Sequence, residues 1–367
     1  MTDSASSRPH WIASEDALAG FLAPAPAIIG LDTEFMRINT FAPQLALVQL
    51  GLGDAVGLVD PLDIADAGPL AALLGNPART TVMHSASEDL EALATWSCTI
   101  ASLFDTQIAA SFAGLGSGLG YQKLVHLLAG VELPKGQTRS DWLRRPLSPA
   151  QIEYAAQDVI HLPMLHAELL RRVERRGFAA WLAEDCARLV ERARDRGPDA
   201  EPQTAFRTAA EWPRESQARL RRVLLWRDAT APRIDRPRPW LLDDAHALDL
   251  AAHPPANATE LAERTRGLRA LRSPERAALL TVLSAPLEAR DMEFQPIPPL
   301  HSARAKQAIT AMKQAVAAIA ADLDLPDTLL ASRRHLERFV DTRCWPAALE
   351  GWRRPLLQDR LATLLPG

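Results

Sequence analysis

Apolar residues recur along the first half of the chain in short runs of the length expected for buried strands, separated by stretches with helical spacing. Ala27–Leu31, Leu45–Leu50 (LALVQL) and Val56–Val59 read as three strands. The Pro43, Gly51 and Gly53 positions between them supply the turns of a meander. Residues 11–21 read as a short amphipathic helix with Ser14 as its N-cap. Residues 66–75 read as a second helix, Thr80–His84 as a fourth strand and Ser87–Ala94 as a further helix. From there short strands and helices are expected to alternate, so this half is α/β with a mixed sheet. Another helix is announced by Ser148, Pro149 and Gln151, an N-cap, a first-turn proline and a capping-box partner in sequence.

The stretch ERARDRGPDAEPQT after Leu189 reads as a helix end and linker. Beyond it the pattern is helical, with Ala, Leu and Arg recurring and prolines between segments. At 367 residues the chain exceeds one ordinary core, so two or three domains are expected.

Composition adds a few boundaries. An apolar fraction of 47% and a charged fraction of 23% describe a globular protein. No apolar run approaches the roughly 18 residues that span a membrane, and the N-terminus lacks a basic segment followed by an apolar one, so a cytoplasmic location is expected. Cys98, Cys186 and Cys344 match no zinc or redox spacing and are expected to be reduced packing residues. The net charge of -4 is unevenly spread: Lys plus Arg minus Asp plus Glu is 16 - 25 = -9 over residues 1–202 and 25 - 20 = +5 over 203–367. An acidic first half and an arginine-rich second half suit a metal-dependent catalytic domain with a polyanion-binding appendage.

The chemistry concentrates in three places. Asp32 and Glu34 end an apolar run at spacing i, i+2, which on a strand points both carboxylates to one face and gives a divalent cation a stiff platform. Asp89 falls in the first turn of a helix that follows a strand end, where open α/β sheets build their sites, although acids there also complement the helix dipole. Tyr154 and Asp158 stand at i, i+4 on one helix face, where a phenol and a carboxylate can serve one site or simply belong to an amphipathic helix. His84, Thr33 and Gln107 lie near these stretches, and packing or structural hydrogen bonding accounts for each equally well.

The blocks LDTEFMRINTFAPQLALVQLG, HSASEDLEAL, FDTQIAASF, TRSDWLRRPLS and EYAAQDVIHL, in this order over roughly residues 25–175, resemble the ribonuclease D family of exonucleases. Residues 216–250, around Trp226-Arg227-Asp228, resemble part of an HRDC domain, a small helical nucleic-acid-binding module. The segment from about 295, with LLASRRHLERFV and GWRRPLLQDRLATLL, is similar to the last domain of that family. The resemblance implies a ribonuclease H-like α/β exonuclease domain with a mixed sheet over 1–200, followed by two all-α HRDC-like domains over 205–290 and 295–367. It also implies a catalytic set of Asp32, Glu34, Asp89, Tyr154 and Asp158, with the four acids as ligands of two divalent cations, Mg²⁺ or Mn²⁺. Asp32, Glu34 and Asp158 would hold the first, Asp32 would also contact the second, and Asp89 would help through water. Two such cations about 4 Å apart would activate water and stabilise the leaving oxygen of a phosphodiester. Tyr154 would orient the water as a hydrogen-bonding group, since a phenol near pKa 10 is a poor base.

The implied partner is RNA with a free 3′ end, typically precursor tRNA, cut one nucleoside 5′-monophosphate at a time by a monomer, with the basic helical half adding phosphate contacts. Two other readings share these residues: a 3′–5′ exonuclease acting on DNA in repair, and an RNA-binding protein without catalysis. A helical half that binds protein instead of nucleic acid is a third.

Overall fold

The computed structural model describes residues 8–134, 136, 137, 140–195 and 197–366. The first seven residues, and Thr138 and Arg139 at the head of the fourth sequence block, lie outside the described residues. The chain folds as two compact units, one of residues up to Met36, Pro43–Asp195 and Gln307–Gly367, the other of Arg37–Ala42 and Arg196–Lys306.

The first unit is built on a six-stranded mixed sheet. Its strands are β1 (His10–Ile12), β2 (Ile28–Met36), β3 (Gln44–Leu52), β4 (Ala55–Val59), β5 (Thr80–Met83) and β6 (Leu103–Asp105), in spatial order β1-β4-β3-β2-β5-β6. The expected meander is present: β2 pairs antiparallel with β3, and β3 with β4. The other pairings, β1 with β4, β2 with β5 and β5 with β6, are parallel. β3 is buried along nearly its whole length, as its unbroken apolar run requires when both faces are covered.

Helices α1 (Glu15–Leu22), α2 (Gly68–Leu74), α3 (Ser87–Thr95), α4 (Thr106–Phe112) and α5 (Tyr121–Ala129) precede three longer ones, α6 (Pro149–Ile160), α7 (Leu162–Arg175) and α8 (Ala179–Arg194). Ser14 caps α1 by accepting the Ala17 N–H. The helix expected over 11–21 therefore starts later: Trp11 and Ile12 instead extend an edge strand that pairs with β4. The expected alternation of strand and helix also stops early, because every element after β6 is helical among the described residues.

The second unit comprises α9 (Arg214–Arg233), α10 (Arg238–Leu241), α11 (Asp244–Ala252), α12 (Ala258–Arg264) and α13 (Ser273–Ser284). They close on a core of Leu220, Val223, Leu224, Leu241, Leu250, Leu261 and Leu279. The connection between β2 and β3 belongs to this unit: Asp235 accepts the N–H groups of Phe41 and Ala42 at 2.9 and 3.3 Å.

The chain then forms α14 (Ala303–Asp322), whose residues from Gln307 onward belong to the first unit with α15 (Asp327–Leu330), α16 (Arg333–Thr342) and α17 (Arg354–Ala362). There Arg353 pairs with the buried Asp185 of α8 through both guanidinium nitrogens, and the Trp352 indole donates to the same carboxylate. No helix among the described residues is long and apolar enough to cross a membrane. Cys98 and Cys186 are buried and free as expected, whereas Cys344 is exposed and so is not a packing residue.

Candidate active site

Strand β2 sits inside the sheet between β3 and β5, and its residues alternate between the two faces. Gly30, Asp32 and Glu34 share one face, and their partners across β3 are Gly51, Gln49 and Leu47. Over the paired glycines passes the C-terminal turn of α6. A Cβ at Gly30 would meet the Val159 carbonyl oxygen at 3.1 Å, and one at Gly51 would meet it at 3.0 Å. The two glycines thus let a helix backbone lie almost on the sheet, and a side chain at either position would push it back by a few tenths of an ångström. Asp158 is the residue immediately before Val159, so the same close approach delivers its carboxylate to Asp32.

Helix α6 is fixed at its other end by a complete capping box, in which the Ser148 hydroxyl accepts the Gln151 N–H and the Gln151 side chain accepts from the Ser148 backbone. Small buried residues, Ala155, Ala156 and Val159, face the sheet. Tyr154 and Asp158 lie on one face of α6 as the spacing predicts, and the Tyr154 phenol donates toward the Asp158 carboxylate. The Tyr154 ring also packs at 6.1 Å from that of Trp142.

Asp89 comes from the first turn of α3. Thr33, which alternation points away from Asp32 and Glu34, donates its hydroxyl to Asp89 Oδ1 at 2.5 Å. The start of α3 is itself anchored: Asp105 at the end of β6 accepts the Ala86 N–H through one oxygen and the Gln107 and Ile108 N–H groups through the other. Asp32, Glu34, Asp158 and Tyr154 are half-buried and Asp89 is buried, so the group opens to solvent along one side.

The electrostatics follow from this crowding. Burial, then the charges of Asp89, Asp158 and Glu34, raise the Asp32 carboxyl well above its usual range. Burial, then Asp158 and Asp89, push Glu34 up to about 9. Burial raises Asp158 to about 7 against a smaller opposing effect of the Tyr154 hydrogen bond, and raises Asp89 to about 6 against that of Thr33. Burial and the neighbouring Asp158, Glu34 and Asp32 charges raise the Tyr154 phenol far above its ordinary value, so it remains a proton donor at neutral pH. Among the described residues no group of three or more Asp, Glu, His or Cys side chains is placed to hold a metal ion as it stands; the acids are linked through charge, Asp89 and Asp158 each raising both Asp32 and Glu34.

All five residues singled out in the sequence are therefore brought to one place. His84 and Gln107 have structural partners, the Thr106 hydroxyl at 2.8 Å and the Leu119 carbonyl at 3.1 Å. Tyr121, unremarked in the sequence, donates to the Gln157 carbonyl at 2.9 Å and is raised first by burial and then by Asp158 and Asp32, which puts it beside the acids. Only its place in a helix start after a glycine-rich turn marks it, and that says nothing of the site. Arg145 is another: it pairs with the buried Asp60 at 2.6 Å and also donates to the carbonyls of Ala46 and Trp142, tying the segment before α6 to the sheet.

Known proteins share this architecture. Residues 9–174 match a family model described as 3′-5′ exonuclease, and residues 304–361 one described as ribonuclease D, C-terminal HRDC domain. The chain is 44% identical to a ribonuclease D of Xanthomonas oryzae pv. oryzae over 97% of its own length and 98% of the relative's. It is 37% identical to a ribonuclease D of Granulibacter bethesdensis, covering 95% and 90% of the two chains. The crystal structure of Escherichia coli RNase D, described as an exoribonuclease involved in structured RNA processing, superposes with a TM-score of 0.83 at 30% identity, covering 98% of each chain.

Proposed function

The chain belongs to the ribonuclease D family of 3′–5′ exoribonucleases, and we propose that it hydrolyses RNA at Asp32, Glu34, Asp89 and Asp158 with the help of two divalent cations, Mg²⁺ or Mn²⁺. The observation that carries the reading is the convergence of four buried or half-buried carboxylates, in which Asp89 and Asp158 both raise the proton affinity of Asp32 and Glu34. Carboxylates gathered in this way are costly to hold together, and a hard divalent cation is the partner that offsets such a cost with oxygen ligands. Ions of this kind complete their coordination with water and substrate phosphate, so the carboxylates need not form a closed cage by themselves.

Asp32, Glu34 and Asp158 would hold one ion, and Asp32 and Asp89 would contribute to the second. When bound, the pair supplies Lewis-acid activation of water and neutralises the leaving 3′-oxygen. The chain's own residues set the geometry. Tyr154, held protonated by burial and by the surrounding negative charge, would donate a hydrogen bond that orients the attacking water and would not act as a base. Thr33 fixes the Asp89 carboxylate, and the Gly30 and Gly51 pair fixes how far Asp158 reaches. The products are nucleoside 5′-monophosphates, released singly from a free 3′ end.

The substrate in this reading is structured RNA with a short 3′ tail, as in precursor tRNA, acted on by a monomer in the cytoplasm. The arginine-rich helical segments would add phosphate contacts that carry no sequence information.

A time course on 3′-end-labelled and 5′-end-labelled RNA, with a matched DNA strand, tests the proposal. The expected result is prompt release of labelled mononucleotide from the 3′ end and a shortening ladder from the 5′ label, both abolished by EDTA, with RNA preferred over DNA. RNA binding with no nucleotide release in Mg²⁺ or Mn²⁺ would refute it, and equal or faster cutting of DNA would reassign the substrate.

A further inference from the structure

Gln49 lies directly across the β2–β3 register from Asp32. Directly opposed side chains of antiparallel strands share a face, with Cβ atoms about 4.5–5.5 Å apart. Gln49 therefore stands on the face of Gly30, Asp32 and Glu34, beside Gly51, where the Val159 backbone passes overhead. It is fully buried, at 0% exposure, and neither its Oε1 nor its Nε2 has a hydrogen-bond partner among the described residues.

That arrangement needs a reason. A buried amide with no partner is costly, and the large majority of buried side-chain polar groups find one. Every other position of the run LALVQL is apolar, and a leucine or methionine would fill the same space without the cost. A polar group kept at such a cost belongs to a site more often than to a core. The neighbouring chemistry says what kind. An amide offers two N–H donors to a carboxylate without adding charge, whereas a lysine or arginine in this position would repel a cation from the acids.

We propose that Gln49 is a positioning residue of the cation site, its side-chain amide orienting the Asp32 carboxylate to receive a divalent ion. The inference rests on the cation-dependent reading of the four acids given above. It assigns Gln49 no contact with the reacting atoms. Its effect passes through Asp32, the residue it faces across the strand pair.

The test compares wild type with Gln49→Met by thermal unfolding in EDTA and in a series of Mg²⁺ or Mn²⁺ concentrations, and by the cation concentration that gives half-maximal nucleotide release. Partners that orient a metal ligand are typically worth 10- to 100-fold in metal affinity. The expected variant melts in EDTA at or above the wild-type temperature, because an unpartnered amide has been removed. Its cation-induced rise in melting temperature falls, and its half-maximal cation concentration increases by at least about tenfold. A wild-type cation response in Gln49→Met overturns the inference and leaves the cation site itself standing. No cation response in the wild-type protein overturns both. If Gln49→Met does not fold, Gln49→Leu is read by the same two measurements, and loss of folding in both would make the amide structural and overturn the proposal.

Discussion

A Cβ placed on Gly51 would stand 3.0 Å from the carbonyl oxygen of Val159, a main-chain atom that cannot rotate away. Gly51→Ala should therefore lift the end of α6 by a few tenths of an ångström and move Asp158 off Asp32. Overpacking of this kind costs about 1–3 kcal/mol, and a misplaced catalytic group can cost on the order of 100-fold in rate. The expected outcome is a lowered melting temperature with a larger proportional loss of kcat. Gly20→Ala, in α1 with nothing within 4 Å of the added carbon, should leave both unchanged or raise stability.

Thr33→Val keeps the shape of the side chain and removes the hydroxyl that donates to Asp89. A buried acceptor left without its donor costs about 1–3 kcal/mol. Because that hydrogen bond favours the charged carboxylate, its loss should raise the Asp89 pKa further above about 6. The acidic limb of the kcat/KM–pH profile should move to higher pH, and Thr33→Ser should restore it. An unmoved limb in Thr33→Val would separate Asp89 from catalysis.

The ion pair of Arg145 with Asp60 predicts a stability effect at a distance from the chemistry. Asp60 is fully buried, Arg145 is mostly so, and the guanidinium also donates to three main-chain carbonyls, those of Trp142, Arg144 and Ala46. Arg145→Ala would strand a buried carboxylate, a loss of about 3–5 kcal/mol. Urea unfolding should show it. Asp60→Leu with Arg145→Met should recover part of the loss, which a surface ion pair would never have incurred.

Stability in EDTA should fall as pH rises. Glu34 moves from 4.5 to about 9 on folding, Asp158 from 3.8 to about 7 and Asp89 from 3.8 to about 6, so between pH 4 and 9 the folded state binds more protons than the unfolded. Excess protons in the folded state make stability decline with pH through that window. A divalent cation binds the ionised acids and should flatten or reverse the slope. Melting curves from pH 5 to 8.5 with and without Mn²⁺ check this, and a slope indifferent to cation would count against the four acids as ligands.

The sequence disclosed those parts of the fold whose cause is local. The strand that begins the exonuclease sheet, read as Ala27–Leu31 and running on through Asp32 and Glu34 to Met36, the capped start of α6 and the i, i+4 pairing of Tyr154 with Asp158 each follow from a few adjacent residues. What it hid depends on distant partners. β1 is three residues long and exists through its parallel pairing with β4. Thr33 shows its part only once α3 brings Asp89 beside it, and Gln49 only once the β2–β3 register sets it opposite Asp32. Residues 37–42 sit inside a block that reads as one with the exonuclease strands, yet they fold with the helical unit because Asp235, nearly two hundred residues later, accepts their N–H groups.

In the proposed reaction Asp158, set down beside Asp32 by the glycine pair, takes part in the hydrolysis itself. The most direct measurement is single-turnover cleavage of a 3′-labelled RNA in saturating Mg²⁺ by wild type and Asp158→Asn, with RNA affinity measured in parallel. Asp158→Asn should bind RNA within about threefold of wild type and cut it at least about 1,000-fold more slowly, a loss of roughly 4 kcal/mol of transition-state stabilisation. Cleavage at the wild-type rate by a folded Asp158→Asn protein would remove Asp158 from the reaction.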